Sequence, residues 1–79
     1  MSNVDKYNAA FIEVFEIEEK DLTDQLEYQS ISSWDSVGHM ALIAELEDLF
    51  EISIEMDDVI DFGSYKTGFK TLEKYGVQF

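Results

Sequence analysis

The 79-residue chain contains no cysteine, no proline and no arginine. Without cysteine there is no disulfide framework, no thiolate metal site and no cysteine nucleophile. A fold of this size must then rest on packing, and the cytoplasm is the expected compartment. The only basic residues are five lysines and a single histidine, against eighteen acidic residues, which gives a net charge of −13. Binding a phosphate backbone requires Lys and Arg to neutralise it. Nucleic acid is therefore excluded as a direct ligand, and an anionic membrane surface is disfavoured on the same ground. No stretch approaches the roughly 18 apolar residues of a membrane span. Asp5, Lys6 and Glu13 interrupt the region where a secretory signal would place its apolar core. Nothing resembles a linker, a repeat or a low-complexity run, so residues 1–79 are read as one domain.

Apolar residues make up 46% of the chain and aromatics 14%, more than an acidic disordered tail would carry. At this length a folded domain buries only about 60% of its unfolded surface, so one modest core must suffice. Val4, Tyr7, Phe11, Val14 and Phe15 recur at the spacing of one helical stripe, which predicts a helix over Asn3–Glu16 capped by Ser2 or Asn3. From Ile17 to Asp35 the periodicity fails. That segment reads as a long loop pinned by Leu22, Leu26 and Ile31, with a short helix around Thr23–Tyr28 as an option. Ser36–Glu51 is the clearest helix. At 100° per residue Leu42, Ile43, Leu46, Leu49 and Phe50 share an arc with His39, and Glu45, Glu47, Asp48 and Glu51 lie opposite. A brief helix over Glu55–Asp61 is expected to turn Met56, Val59 and Ile60 inward. Ser64 caps a last helix to Tyr75, followed by Gly76. Gly68 inside it costs about 1 kcal/mol of helix propensity relative to alanine. Strand alternation is not convincing anywhere, and the fold class is all-α: a four-helix bundle with a long first loop and a short third helix. Phe11, Phe15, Leu42, Leu46 and Phe50 are the expected core.

The run Trp34-Asp35-Ser36-Val37-Gly38-His39-Met40, followed by Leu42-Ile43, Leu46-Glu47 and Phe50, resembles the acyl carrier protein family. Peptidyl and D-alanyl carriers are the near relatives. In that family an Asp-Ser pair opens the second major helix, and the serine bears a phosphopantetheine arm added from coenzyme A by a separate transferase. The resemblance covers most of the chain and assigns the attachment to Ser36. It implies no catalysis by the chain itself. The partners it implies are a phosphopantetheinyl transferase and acyl or aminoacyl ligases. Acyltransferases or synthases of lipid, polyketide or nonribosomal peptide synthesis complete the set. Where fatty-acid carriers place acids early in the second helix, this chain has Gly38, His39 and Ala41, which implies a specialised pathway. A monomer is expected.

The residues agree with that reading on separate grounds. A phosphodiester on Ser36 would sit at a helix N-terminus, where free N–H groups and the helix dipole favour an anion. The blander account is that Asp35 or Ser36 is only a helix cap, and both accounts can hold together. Val37, Met40 and Ala44 form an apolar stripe on the acidic half of the second helix. Framed by Glu47, Asp48 and Glu51, the stripe suits docking onto basic partners; the alternative is that the short third helix covers it. Trp34 is expected to plug the loop onto the bundle, the alternative being an exposed partner contact.

His39, one turn after Ser36, is expected at the edge of the core. A Ser36–His39 nucleophilic pair lacks a third residue and an oxyanion site. The acidic stretch from Asp57 to Gly63 puts Val59 and Phe62 where an EF-hand loop needs a ligand and a glycine, so it does not read as a calcium site. An unmodified acidic interaction module, or a mimic of nucleic acid, remains the competing function. Self-repulsion at −13 is screened by salt, so the melting temperature should climb with ionic strength. A melting temperature indifferent to salt would contradict this.

Overall fold

A computed structural model describes residues 2–79. Within them four α-helices follow one another: α1 (Asn3–Phe15), α2 (Ser36–Phe50), α3 (Met56–Asp61) and α4 (Tyr65–Glu73), with one short 3-10 turn at Glu19–Asp21. Among the described residues there is no strand, only an isolated antiparallel bridge between Glu27 and Ser64. No described helix is long and apolar enough to cross a membrane.

Helix α1 starts where Ser2 and Asp5 cap each other. Ser2 Oγ accepts from the Asp5 N–H at 3.1 Å and the Asp5 carboxylate accepts from the Ser2 N–H, a capping box. Tyr7, Ala10, Phe11 and Phe15 form its buried face. It ends one residue earlier than the pattern suggests because Glu16 turns left-handed (φ 55°) and donates its N–H back to Ile12. Glu51 closes α2 in the same way, at φ 53°.

The option of a helix at Thr23–Tyr28 is not realised. Backbone groups there are committed elsewhere: Leu26 O accepts from Tyr65 N, and Tyr28 N donates to Gly63 O, both at 2.9 Å. Peptide groups spent on the α3–α4 turn cannot also build a local helix. Leu26 is buried as expected, and Leu22 and Ile31 pack against the core from its edge.

Trp34 lies at the centre of the molecule, fully buried with Tyr7, Phe11, Phe62, Leu42, Leu46 and Leu72. It plugs the loop onto the bundle. Phe11, Phe15, Leu42 and Leu46 are buried, whereas Phe50 is only half-buried and meets Phe79 at a centroid distance of 6.3 Å. The C-terminal segment returns to α1, where Asn3 Nδ2 donates to Gln78 O at 2.8 Å and Phe79 packs edge-on against Phe69.

The expectation for α3 needs correction. Val59 is buried, but Met56 and Ile60 are 64% and 71% exposed. Asp58 takes the inward position beside Val59, because its carboxylate accepts from the Lys74 ammonium and the Tyr75 hydroxyl. Tyr75 Oη in turn accepts from the Glu55 N–H at 2.9 Å. A six-residue helix has little apolar face of its own, so these polar bonds set its rotation. On α4, Lys66 and Lys70 lie on the exposed surface, whereas Lys74, which caps its C-terminal end, pairs with Asp58 and holds α3.

Gly68 also reads differently in three dimensions. It is buried, and a Cβ there would lie 2.0 Å from Tyr7 Oη and 2.4 Å from Phe62 Cζ. Tyr7 cannot yield easily: its hydroxyl donates to Tyr65 O at 2.6 Å, and burial pushes its ionisation far above the usual phenol range. Gly68→Ala gains about 1 kcal/mol of helix propensity but incurs an overpacking cost of about 1–3 kcal/mol. We expect a net loss of stability in urea unfolding; a stabilised variant would show that α4 is not held this close to α1.

The Asp58 contacts carry a pH dependence. Hydrogen bonds from Lys74 and Tyr75 lower the Asp58 carboxyl below its ordinary value. A depressed folded-state value means stability that is present above about pH 4 and disappears as pH falls through the lowered value. Asp58→Asn should therefore be less stable than the native chain at neutral pH, with the gap closing in acid. A gap independent of pH would contradict this role.

Candidate functional site

Helix α2 begins at Ser36 because Asp35, in extended conformation, caps it. Asp35 Oδ1 accepts from the Gly38 N–H and Asp35 O from the His39 N–H, each at 2.8 Å. The first turn is pressed tightly onto what precedes it. A Cβ on Gly38 would fall 2.0 Å from Ser33 O and 3.3 Å from the Phe15 ring, so only glycine fits. Ser33 Oγ donates to Phe15 O at 3.1 Å, closing the end of α1. Trp34 then inserts between Phe15, stacked at 5.0 Å, and Phe11, edge-on at 5.6 Å.

This scaffold presents Ser36 as an exposed residue at the first position of a fifteen-residue helix. Its Oγ lies 2.9 Å from the Tyr28 hydroxyl, a hydrogen bond in which either oxygen can donate. Of the N–H groups that open the helix, Gly38 is taken by Asp35, whereas those of Ser36 and Val37 have no partner among the described residues. Two unpaired N–H groups beside a hydroxyl, at the positive end of a helix dipole, suit an anionic substituent on that oxygen.

His39 does not pair with Ser36. The Trp34 indole N–H donates to His39 Nδ1 at 2.9 Å, and His39 Nε2 lies 2.7 Å from Val59 O. An indole nitrogen can only donate, so Nδ1 accepts, and Nε2 carries the proton that it donates to Val59. Both ring nitrogens are thereby consumed. The pairing that a serine nucleophile would need is not formed, and His39 instead ties α2 to α3.

Between those helices lies a cavity of about 380 Å³, within the size range of small-molecule sites. Met40, Met56, Val59, Ile60 and Phe62 supply apolar wall, and Ser36, Tyr28 and His39 also line it. Val37, Met40 and Ala44 are all exposed, so α3 does not cover the stripe on α2. Met56 and Ile60 extend the apolar surface across the gap instead.

Asp48 and Glu51 frame that surface as exposed acids, but Glu47 is half-buried and its Oε2 accepts from the Ile54 N–H at 2.8 Å. Glu47 thus anchors the α2–α3 connection, a correction to its expected place on the docking face. Reasoning from the sequence did not identify Tyr28, Met56 or Ile60 as site residues. Tyr28 is an isolated aromatic in a polar loop and carries no local signal. The phase of α3 depends on Asp58.

Removing the cap tests this construction. Asp35→Ala should lower stability by about 1 kcal/mol, measured by chemical unfolding, with frayed amide signals confined to Ser36–Gly38. An unchanged stability would mean that another group starts the helix. No family model matches the chain, and neither a curated protein sequence nor a solved structure matches it.

Proposed function

We propose that the chain is an acyl carrier, a non-catalytic protein of the cytoplasm that bears phosphopantetheine on Ser36 and presents acyl or aminoacyl thioesters to partner enzymes. The observation that carries this reading is the setting of Ser36: an exposed hydroxyl opening α2, beside two unpaired N–H groups and the mouth of an apolar cavity. Those residues fit the group. The Ser36 and Val37 N–H groups would hold its phosphate, and the cavity would offer apolar wall beyond. Bound, the arm supplies the terminal thiol that this cysteine-free chain lacks.

In the attachment reaction Ser36 Oγ forms a bond to the phosphorus that carries pantetheine. The bond from that phosphorus to adenosine bisphosphate breaks, and the serine proton passes to a base on the transferase. The exposed patch of Val37, Met40 and Ala44, with Asp48 and Glu51 beside it, supports docking by ligases, acyltransferases or synthases with basic surfaces. The early turn of α2 offers partners Met40 and Ala41 rather than acids, in keeping with a specialised pathway over bulk fatty acid synthesis.

Incubation with coenzyme A and a promiscuous phosphopantetheinyl transferase should raise the intact mass by one phosphopantetheinyl group, and Ser36→Ala should abolish the gain. No gain would leave the competing reading, an unmodified acidic interaction module. A gain that persists in Ser36→Ala would move the site elsewhere.

A further inference from the structure

Tyr28 is the residue outside the Asp-Ser pair that the fold brings to Ser36. It reaches the site from the long loop, eight residues away in sequence, and two independent constraints hold it there. Its backbone N–H donates to Gly63 O at 2.9 Å, next to the Glu27–Ser64 bridge, which fastens this point of the loop to the α3–α4 turn. Its ring stands edge-on to His39, with centroids 5.6 Å apart and planes at 76°. His39 is itself fixed by Trp34 and Val59. The phenol is therefore delivered to Ser36 Oγ by the fold rather than by chance of rotamer, and it remains exposed.

Esterification changes what this contact demands. A free serine hydroxyl can donate or accept, but the same oxygen in a phosphodiester can only accept, as can the phosphate oxygens attached to it. Tyr28 Oη is the one side-chain hydrogen-bonding partner of Ser36 Oγ among the described residues, and a phenol can donate. A donor to an anion makes the stronger class of hydrogen bond. Tyr28 also lines the cavity next to Ser36, His39 and Met40, so its bond biases the substituent toward the α2–α3 side of the helix.

We propose that Tyr28 is a positioning residue for the substituent on Ser36. Its hydroxyl donates to the phosphodiester and holds the root of the arm at the cavity mouth. This rests on the carrier reading above, and the test separates the two. Wild type and Tyr28→Phe, which keeps the ring and every backbone bond, are loaded to completion with coenzyme A and transferase, checked by intact mass, and compared by phosphorus NMR. Nuclear Overhauser contacts are recorded between the pantetheine methyl protons and the Tyr28 and His39 rings.

We expect those contacts in the loaded wild type. In loaded Tyr28→Phe we expect a displaced, sharper phosphorus resonance and loss of the His39 contacts, with an unchanged helical circular dichroism spectrum. Coincident phosphorus resonances, or a loaded wild type without contacts to Tyr28, would overturn the positioning role and leave the carrier reading intact. Failure of the wild type to gain mass would overturn the carrier reading itself. If the variant does not fold or load, the wild-type contacts decide alone.

Discussion

The chain of hydrogen bonds from the Trp34 indole through His39 to Val59 O is the constraint on which the site depends. Trp34 is fully buried, so an indole N–H without its acceptor would forfeit a bond that water cannot replace. Its acceptor is a ring whose other nitrogen serves one of the carbonyls that a short helix such as α3 cannot satisfy itself. One side chain thereby completes a core donor and a helix end at once. In doing so it sets the separation of α2 and α3 and the width of the cavity between them. Ser36 lies one turn before His39, so its position follows from the same bond, and the Tyr28 ring leans on that imidazole.

Charge and packing divide the molecule. From Asp21 to Tyr65 there is no lysine, and the acids of that segment repel one another across a small surface. Opposing them is a continuous aromatic interior in which Tyr7, Phe11, Phe15, Trp34, Phe62 and Tyr65 meet at centroid distances of 4.8–6.3 Å. Lys74 enters this balance at one point, pairing with Asp58 to hold α3 against α4. Because α3 is fixed by polar bonds and by His39, its apolar side chains Met56 and Ile60 are free to face the cavity.

Features that depend on local rules were legible in the sequence. The stripes of α1 and α2 follow from the helical period, and Asp35 as a cap follows from residue type and position. The failure of periodicity after Ile17 marked the long loop. For Trp34 the sequence leaves two options, a plug or an exposed contact, and its full burial selects the plug. Features that depend on distant partners were not legible. The rotation of α3 is decided by Lys74 and Tyr75, more than a dozen residues downstream, so the local period alone does not give the exposure of Met56 and Ile60. Gly68 is only a helix-propensity cost by local rules, whereas in three dimensions it is a contact surface for Tyr7 and Phe62. Glu47 belongs by its helical angle to the exposed acidic face of α2, but the Ile54 N–H draws it in. Tyr28 reaches Ser36 only because the loop crosses the α3–α4 turn.

The state of the His39 ring tests the central claim most directly. Long-range nitrogen–proton correlation spectra of the imidazole at mildly alkaline pH should show the neutral tautomer protonated at Nε2. The Trp34 indole N–H should exchange slowly with solvent. A ring protonated at Nδ1, or a rapidly exchanging indole proton, would contradict the link between α2 and α3 and the placement of the site that follows from it.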